Sequence, residues 1–125
     1  MFLLLVFTVS VFNCATNQSK ASVKNRVNHV VLCWLKEPGN ASHRQKIIET
    51  SKTFQKIPGV LEVRVGESIP SERAIVEDGF DVCIFMSFAN TNDMTRYINH
   101  SQHKKTAEEV LGPLVQRIVV YDFAE

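Results

Sequence analysis

Residues 26–35 read RVNHVVLCWL, and this apolar stretch contributes more than any other to the fold that the sequence predicts. Val and Leu occupy most of its positions, and such residues favour β-strands. The segment KEPGN at 36–40 follows, and its Pro-Gly pair is typical of a turn. Because apolar side chains occupy both odd and even positions, both faces of this strand are expected to be covered.

The segment after the turn has the periodicity of an amphipathic helix. In ASHRQKIIETSKTFQKI, residues 41–57, apolar side chains recur at three-to-four residue spacing. Ser42 is predicted to cap the start of this helix, and the Pro58-Gly59 pair is predicted to end it. The face that packs on the sheet is expected to carry Ile47, Ile48, Ser51, Phe54 and Ile57.

The rest of the chain completes a β-α-β-β-α-β order, in which the second helix is divided near Ser101. This α+β order is that of the ferredoxin-like fold, with an antiparallel sheet. Alternation in the second strand predicts Leu61, Val63 and Val65 on one face. The segments are VLEVRVG (60–66), a loop ESIPSERAIVEDG (67–79), the strand FDVCIFMSF (80–88), helices at 90–100 and 101–112, and the strand PLVQRIVVYDF (113–123).

One face of this sheet would remain apolar and uncovered in a single copy. The helices pack on the other face, so Val30, Leu32, Trp34 and Phe85 have no partner within the chain. Large exposed apolar patches on soluble proteins usually mark interaction sites. We therefore expect a homodimer.

The first 25 residues differ in composition from this domain. MFLLLVFTVSVF is an unbroken apolar run, too short to span a bilayer, which requires about 20 residues. It predicts an export signal over residues 1–13, followed by a polar tether over 14–25. An apolar run that ends at a single cysteine resembles a bacterial lipoprotein signal, in which Cys14 carries the lipid. The expected product is a membrane-anchored lipoprotein of the cell envelope; the alternative is a soluble secreted or periplasmic protein.

The charge balance argues against nucleic acid as a partner. Fourteen Lys and Arg face thirteen Asp and Glu, and the formal net charge is +1. Nucleic acid binding normally requires clustered positive charge, which this sequence lacks. It also contains no glycine-rich phosphate loop and no cysteine cluster, so no cofactor is expected. Contact with a membrane is expected only through the lipid anchor.

Five segments together resemble the stress-responsive A/B barrel family, the Dabb domains. They are VNHVVLCWLK, IPGVLEVRVG, GFDVCIFMSF, YINHSQHKK and VVYDF, in this order. The resemblance covers residues 26–123, which are assigned to one domain. It implies a dimeric α/β barrel, in which two ferredoxin-like sheets close against each other. The family includes plant stress proteins and a plant polyketide cyclase.

The resemblance gives candidate catalytic residues in YINHSQH, residues 97–103. In the cyclase branch, a tyrosine at the position of Tyr97 orients the substrate carbonyl, and a histidine at the position of His103 acts as base. A helix that starts at Ser101 would hold His103 in its first turn, where the helix dipole disfavours imidazolium. A neutral imidazole would then be available for proton abstraction near pH 7.

Other interpretations of this stretch remain open. Tyr97 and His103 could instead form a buried hydroxyl–imidazole hydrogen bond that joins two helices. A metal site is not expected, because His100 and His103 lack nearby carboxylate or thiolate ligands. The resemblance also places Val82 and Thr50 where the cyclase has a histidine and a tyrosine, so the same substrate is not expected.

A pocket is expected under the helices. By alternation, His29 shares its strand face with Val31 and Cys33, and the resemblance turns that face toward the helices. Cys83 is expected on the opposite face, which would leave both cysteines as free thiols because a disulfide needs close Cβ atoms. The expected lining of the pocket is His29, Val31, Val82, Ile84 and His100.

These residues favour binding over turnover. A second ionisable group in the pocket would favour catalysis, and His29 is the only one that the sequence reveals. The expected function is binding of a small apolar molecule, or a stress-response role, without turnover. The alternative is a cofactor-free cyclase or proton-transfer enzyme that uses Tyr97 and His103.

Replacement of Cys14 tests the export hypothesis. In cells that process lipoproteins, Cys14→Ser should move the protein from the membrane fraction to the soluble exported fraction, because no lipid can be attached. Fractionation and intact-mass measurement on both proteins check this. Identical fractionation, with no lipid mass on the wild type, would contradict lipidation.

Overall fold

The computed structural model describes residues 25–125. The expected signal peptide and Cys14 lie outside the described residues. Within them, no helix has the length and apolar character needed to cross a membrane.

The strands and helices follow the β-α-β-β-α-β order that the sequence predicts, with the second helix divided. A 3-10 turn, Thr53–Lys56, extends the first helix, and a π-helical segment, Ala107–Leu111, follows the third. The strands and helices are β1 (Val27–Leu35), α1 (Ala41–Lys52), β2 (Val60–Gly66), β3 (Val82–Phe88), α2 (Thr91–Asn99), α3 (Ser101–Thr106), α4 (Gly112–Leu114) and β4 (Val115–Ala124).

The strands form one antiparallel sheet in the order β2-β3-β1-β4. This is a ferredoxin-like α+β fold, as predicted. β1 lies between β3 and β4, so both of its edges are paired. In this register Val31 lies opposite Ile84 on β3 and Val120 on β4.

The helices cover one face of the sheet, here called the inner face. Alternate residues of β1 point into it, and Val31, Cys33 and Leu35 are buried there. α1 and the turn after it supply the opposing layer. The core of the described residues is completed by Val27, Ile47, Ile48, Phe54, Ile57, Val60, Val82, Ile84, Met86, Phe88, Tyr97, Leu111 and Val115.

Local hydrogen bonds correct two predicted helix caps, and strand pairing corrects the predicted position of Leu61. Asn40, not Ser42, caps α1, because its side-chain oxygen accepts a hydrogen bond from the His43 backbone N–H at 3.0 Å. His100, not Ser101, caps α3, with its ring Nδ1 accepting from the Gln102 N–H at 3.2 Å. Leu61 lies at an irregularity in the β2–β3 pairing and is exposed, so it does not share a buried face with Val65.

The other face of the sheet, here called the outer face, carries the apolar residues that the sequence left without partners. Tyr121 and Phe123 are 58% and 49% exposed. Val30, Leu32 and Trp34 are partly covered. Two cations shield part of this face: the Arg117 guanidinium lies 4.3 Å from the Trp34 ring centroid, and the Arg64 guanidinium lies 4.4 Å from that of Phe85.

Cys33 and Cys83 are free thiols on opposite faces. Cys33 pairs with Val82 on the inner face, whereas Cys83 pairs with Leu32 and belongs to the outer face. Burial, with a smaller effect of Cys83, raises the pKa of the Cys33 thiol to about 12. The expectation of two unbridged cysteines is confirmed in this arrangement.

Candidate functional site

A cavity of about 400 Å³ lies between the inner face of the sheet and the helices. β1, β3 and β4 form its floor, and α2, α3 and the π-helical segment form its roof. Most of its lining is apolar. The lining residues are His29, Val31, Phe54, Ile84, Met86, Tyr97, Ile98, His103, Ala107, Leu111, Ile118, Val120 and Asp122.

On the floor, a histidine and a carboxylate form a pair across two strands. The β1–β4 register places His29 opposite Asp122, and His29 Nδ1 lies 2.6 Å from Asp122 Oδ1. An ionised carboxylate has no proton to donate and can only accept a hydrogen bond. Nδ1 of His29 therefore carries the proton. The His29 side chain is buried, whereas that of Asp122 is partly exposed at the edge of the sheet.

Asp122 is a polar residue of the candidate site that sequence reasoning missed. It is the one charged side chain in IVVYDF, residues 118–123, which would have marked it as unusual in a strand. Its partner could not be known without the register of β4 against β1. The second ionisable group, whose apparent absence favoured binding alone, is therefore present in the cavity.

In the roof, Tyr97 lies between the two histidines of the site. Asn90 caps α2 by accepting from the Asp93 backbone N–H, and Tyr97 faces the core two residues before the helix ends. Tyr97 is 1% exposed. Its ring centroid lies 4.6 Å from that of His103 and 6.1 Å from that of His29. Burial raises the pKa of the Tyr97 hydroxyl, so the group stays protonated and able to donate.

The geometry around His103 determines its tautomer. The Nδ1 atom lies 2.9 Å from the Ile98 backbone carbonyl, which can only accept a hydrogen bond. Nδ1 therefore carries the proton, and Nε2 of the neutral ring keeps its lone pair. A proton acceptor is thus available at Nε2 in a ring that lines the cavity.

The pKa of His103 is lowered, mainly because burial disfavours the charged imidazolium. The hydrogen bond to the Ile98 carbonyl opposes this effect, whereas His29 and Lys104 add to it. The lowered pKa of His103 agrees with the neutral base that was expected. Its main cause is burial, whereas the sequence suggested the helix dipole.

The structure brings together His29, Val31, Ile84, Tyr97 and His103 around one cavity. Val82 and His100, expected in the pocket lining, do not line it. Val82 is fully buried within the core at the far end of the β1–β3 pairing. The His100 ring instead caps α3, at the break between the two helices.

The geometry can be compared with two other interpretations of this stretch: a hydrogen bond between Tyr97 and His103, and a metal site at the histidines. The Nδ1 atom of His103 bonds to Ile98, and among the described residues no hydrogen bond joins the Tyr97 and His103 side chains. Their rings instead pack against each other at an interplanar angle of 49°. The described residues contain no group of three or more His, Cys, Asp or Glu side chains placed to hold a metal ion.

Residues 27–125 match the family model of the stress responsive A/B barrel domain, Dabb. This match covers nearly all of the described residues. The chain belongs to the Dabb family. No curated protein matches its sequence.

Solved structures share the fold of this Dabb domain at low sequence identity. A Dabb family protein from Mesorhizobium loti is 20% identical, with 80% of this chain and 96% of that chain covered and a TM-score of 0.66. A hydroxynitrile lyase from Passiflora edulis is 22% identical, with 80% and 93% covered and a TM-score of 0.69. A dimeric protein of unknown function from Bacteroides fragilis is 18% identical, with 80% and 96% covered and a TM-score of 0.61.

The lowered pKa of His103 predicts both a titration and a pH dependence of stability. In an NMR titration, His103 should have a midpoint below about 6.5, the value of an unperturbed histidine. Between the lowered pKa of His103 in the folded chain and the value of about 6.5 in the unfolded chain, the unfolded chain binds more protons than the folded one. The free energy of unfolding should therefore fall as the pH drops below about 6.5.

Denaturant unfolding at several pH values checks the second effect. His103→Gln, which cannot titrate, should reduce the loss of stability on acidification. A His103 midpoint at or above about 6.5 would contradict the description of a shielded, neutral imidazole.

Proposed function

We propose that this chain is a dimeric Dabb protein that binds a small, mostly apolar molecule with one oxygen group. The observation that carries this proposal is the cavity itself: an apolar space of about 400 Å³ with Tyr97, His103 and the His29–Asp122 pair at its polar positions. Apolar pockets with a few convergent polar groups are the usual form of small-molecule sites. The Tyr97 hydroxyl would donate to the oxygen of the ligand.

A stress-response role, suggested by the description of the family, is compatible with binding alone. Export and lipid anchoring, suggested by residues 1–14, would place such a protein in the cell envelope, and they remain part of this proposal.

A second candidate function is proton transfer without a cofactor. It is favoured by the His103 tautomer, because Nε2 can accept a proton from the carbon next to a bound carbonyl. Tyr97 would hydrogen-bond to the carbonyl oxygen as negative charge develops on it. The His29–Asp122 pair adds a second imidazole whose orientation is held by a carboxylate. A hydroxynitrile lyase shares this fold, which indicates that the fold is able to carry an enzyme site.

Cyclohexanone is a suitable ligand for testing the binding proposal. It should shift the NMR signals of His103 and Tyr97 in a saturable way. Tyr97→Phe should weaken binding about 2- to 10-fold, because it removes one net hydrogen bond of about 0.5–1.5 kcal/mol. Tyr121→Phe is the matched control, since it makes the same chemical change on the outer face. Absence of any saturable shift at the cavity would contradict the proposal.

Exchange of the ligand's own hydrogens separates the two candidates. In deuterated buffer, a proton-transfer enzyme should accelerate deuterium incorporation next to the cyclohexanone carbonyl. His103→Ala should abolish this acceleration, and Tyr97→Phe should reduce it by about 10²–10³-fold if the hydroxyl stabilises the enolate. Saturable binding without accelerated exchange would leave binding as the function. Mass spectrometry of the recovered ketone measures the exchange.

Dimerisation is proposed to occur through the outer face. The exposed apolar residues there support it, and related structures from several bacteria are described as dimeric. Leu32→Asp should give monomers or aggregates in sedimentation experiments, because an unpaired buried charge costs about 3–5 kcal/mol. Ile98→Asp is the control on the helix side and should remain a dimer. A wild type that sediments as a monomer at micromolar concentration would overturn this part of the proposal.

A further inference from the structure

The cavity has a polar end and an apolar end. Along β4, the inner face carries Asp122, Val120 and Ile118, which are spaced two residues apart and together span about 14 Å at ~3.4 Å per residue. The polar end is at Asp122, which pairs with His29. From there the inner face becomes apolar, since Val31 lies opposite Val120 on the neighbouring strand.

The exposed part of the cavity lining has Asp122 at the polar end and three apolar residues, here called the apolar rim, at the other positions. Ile98 on α2 is 38% exposed, and Ile118 and Val120 on β4 are 46% and 44% exposed, although all three line the cavity. The residues deeper inside, such as Ile84 and Met86, are buried. The apolar rim therefore favours contact with hydrocarbon, as the cavity interior does.

The charges around the cavity disfavour an anionic ligand. Its lining residues include no Lys and no Arg, and their one carboxylate is Asp122. His103 is neutral near pH 7, as its lowered pKa indicates. A second carboxylate would lose its hydration in this space without gaining a cationic partner. A neutral ketone or hydroxyl group needs only the hydrogen bonds that Tyr97 and the histidines offer.

From these features we infer that the ligand is a neutral, straight-chain amphiphile. Its ketone or hydroxyl group lies at Tyr97 and His103, and its alkyl chain follows Val31 and Val120 and leaves through the rim of Ile98, Ile118 and Val120. This inference rests on the proposed binding function and adds the charge and shape of the ligand.

The inference requires affinity to grow with chain length. Each buried methylene contributes about 0.8 kcal/mol, which corresponds to about a fourfold tighter Kd. The increase should continue while added carbons lie inside the cavity or on the rim, and stop once they reach water. A ligand held only by its polar group would show no such increase.

A homologous series tests this directly. Binding of methyl propyl, methyl pentyl, methyl heptyl and methyl nonyl ketone is followed through the His103 NMR signal, which reports on this cavity. We expect the Kd to fall about fourfold for each methylene over the shorter members and then level off. Straight-chain carboxylates of matched length should bind at least about tenfold more weakly, because an unpaired charge is buried.

Rim variants identify the route of the chain. Ile118→Ser should weaken binding of the longer ketones by a larger factor than binding of cyclohexanone, and thermal unfolding of the variant checks that it is folded. Ile75→Ser, at an exposed isoleucine of the loop 67–79, is the matched control and should change neither.

The outcomes distinguish this inference from the proposed function. If neither cyclohexanone nor any ketone of the series binds, the proposed function fails. If cyclohexanone binds but affinity is independent of chain length, or carboxylates bind as tightly as ketones, the inference alone is overturned. Ile118→Ser without effect on the longer ketones would also overturn it.

Discussion

The register of β1 against β4 is the constraint on which the site depends. It places His29 opposite Asp122, so a buried imidazole obtains the polar partner that burial requires. Side chains alternate along a strand, so the same register puts Val31 and Val120 beside the pair on the inner face. A shift by one residue would turn Asp122 to the outer face and leave His29 without its carboxylate.

The roof of the cavity depends on the break between α2 and α3. His100 has an extended backbone, with ψ of 139°, and its ring caps the following helix. The chain therefore changes direction between Tyr97 and His103, which lets their rings pack at 4.6 Å instead of following one helix surface. The same break leaves the Ile98 carbonyl free to accept from His103 Nδ1. One interruption in a helix thus sets both the distance and the tautomer of the candidate catalytic pair.

Burial shifts the pKa values of Tyr97 and His103 in opposite directions. It favours the neutral forms of Tyr97 and His103, so the first remains a hydrogen-bond donor and the second an acceptor. At His29 the ring Nδ1 donates a hydrogen bond to the Asp122 carboxylate, which orients the imidazole. An apolar space therefore holds a donor, a neutral acceptor and an oriented imidazole, which is an arrangement suited to a neutral oxygen-containing ligand.

The sequence by itself determined the order of strands and helices, the alternation that sends His29 and Val31 to one face, and the opposite faces of Cys33 and Cys83. These features follow from local periodicity, which the order of residues contains. It also identified Tyr97 and His103, through resemblance to a family. Helix caps at Asn40 and His100 were misplaced by one or two residues, because several neighbouring side chains could accept the same hydrogen bond.

Only the tertiary structure decided which side chains meet. Asp122 and His29 are 93 residues apart in the chain, and no local pattern relates them. His100 and Val82 have side chains suited to a pocket, but a helix cap holds one and the core encloses the other. The exposed rim of Ile98, Ile118 and Val120 is likewise invisible in the sequence, where buried and exposed isoleucines look alike. Pairing register and helix direction are set by packing of the whole domain, so distant contacts could not be derived from local spacing.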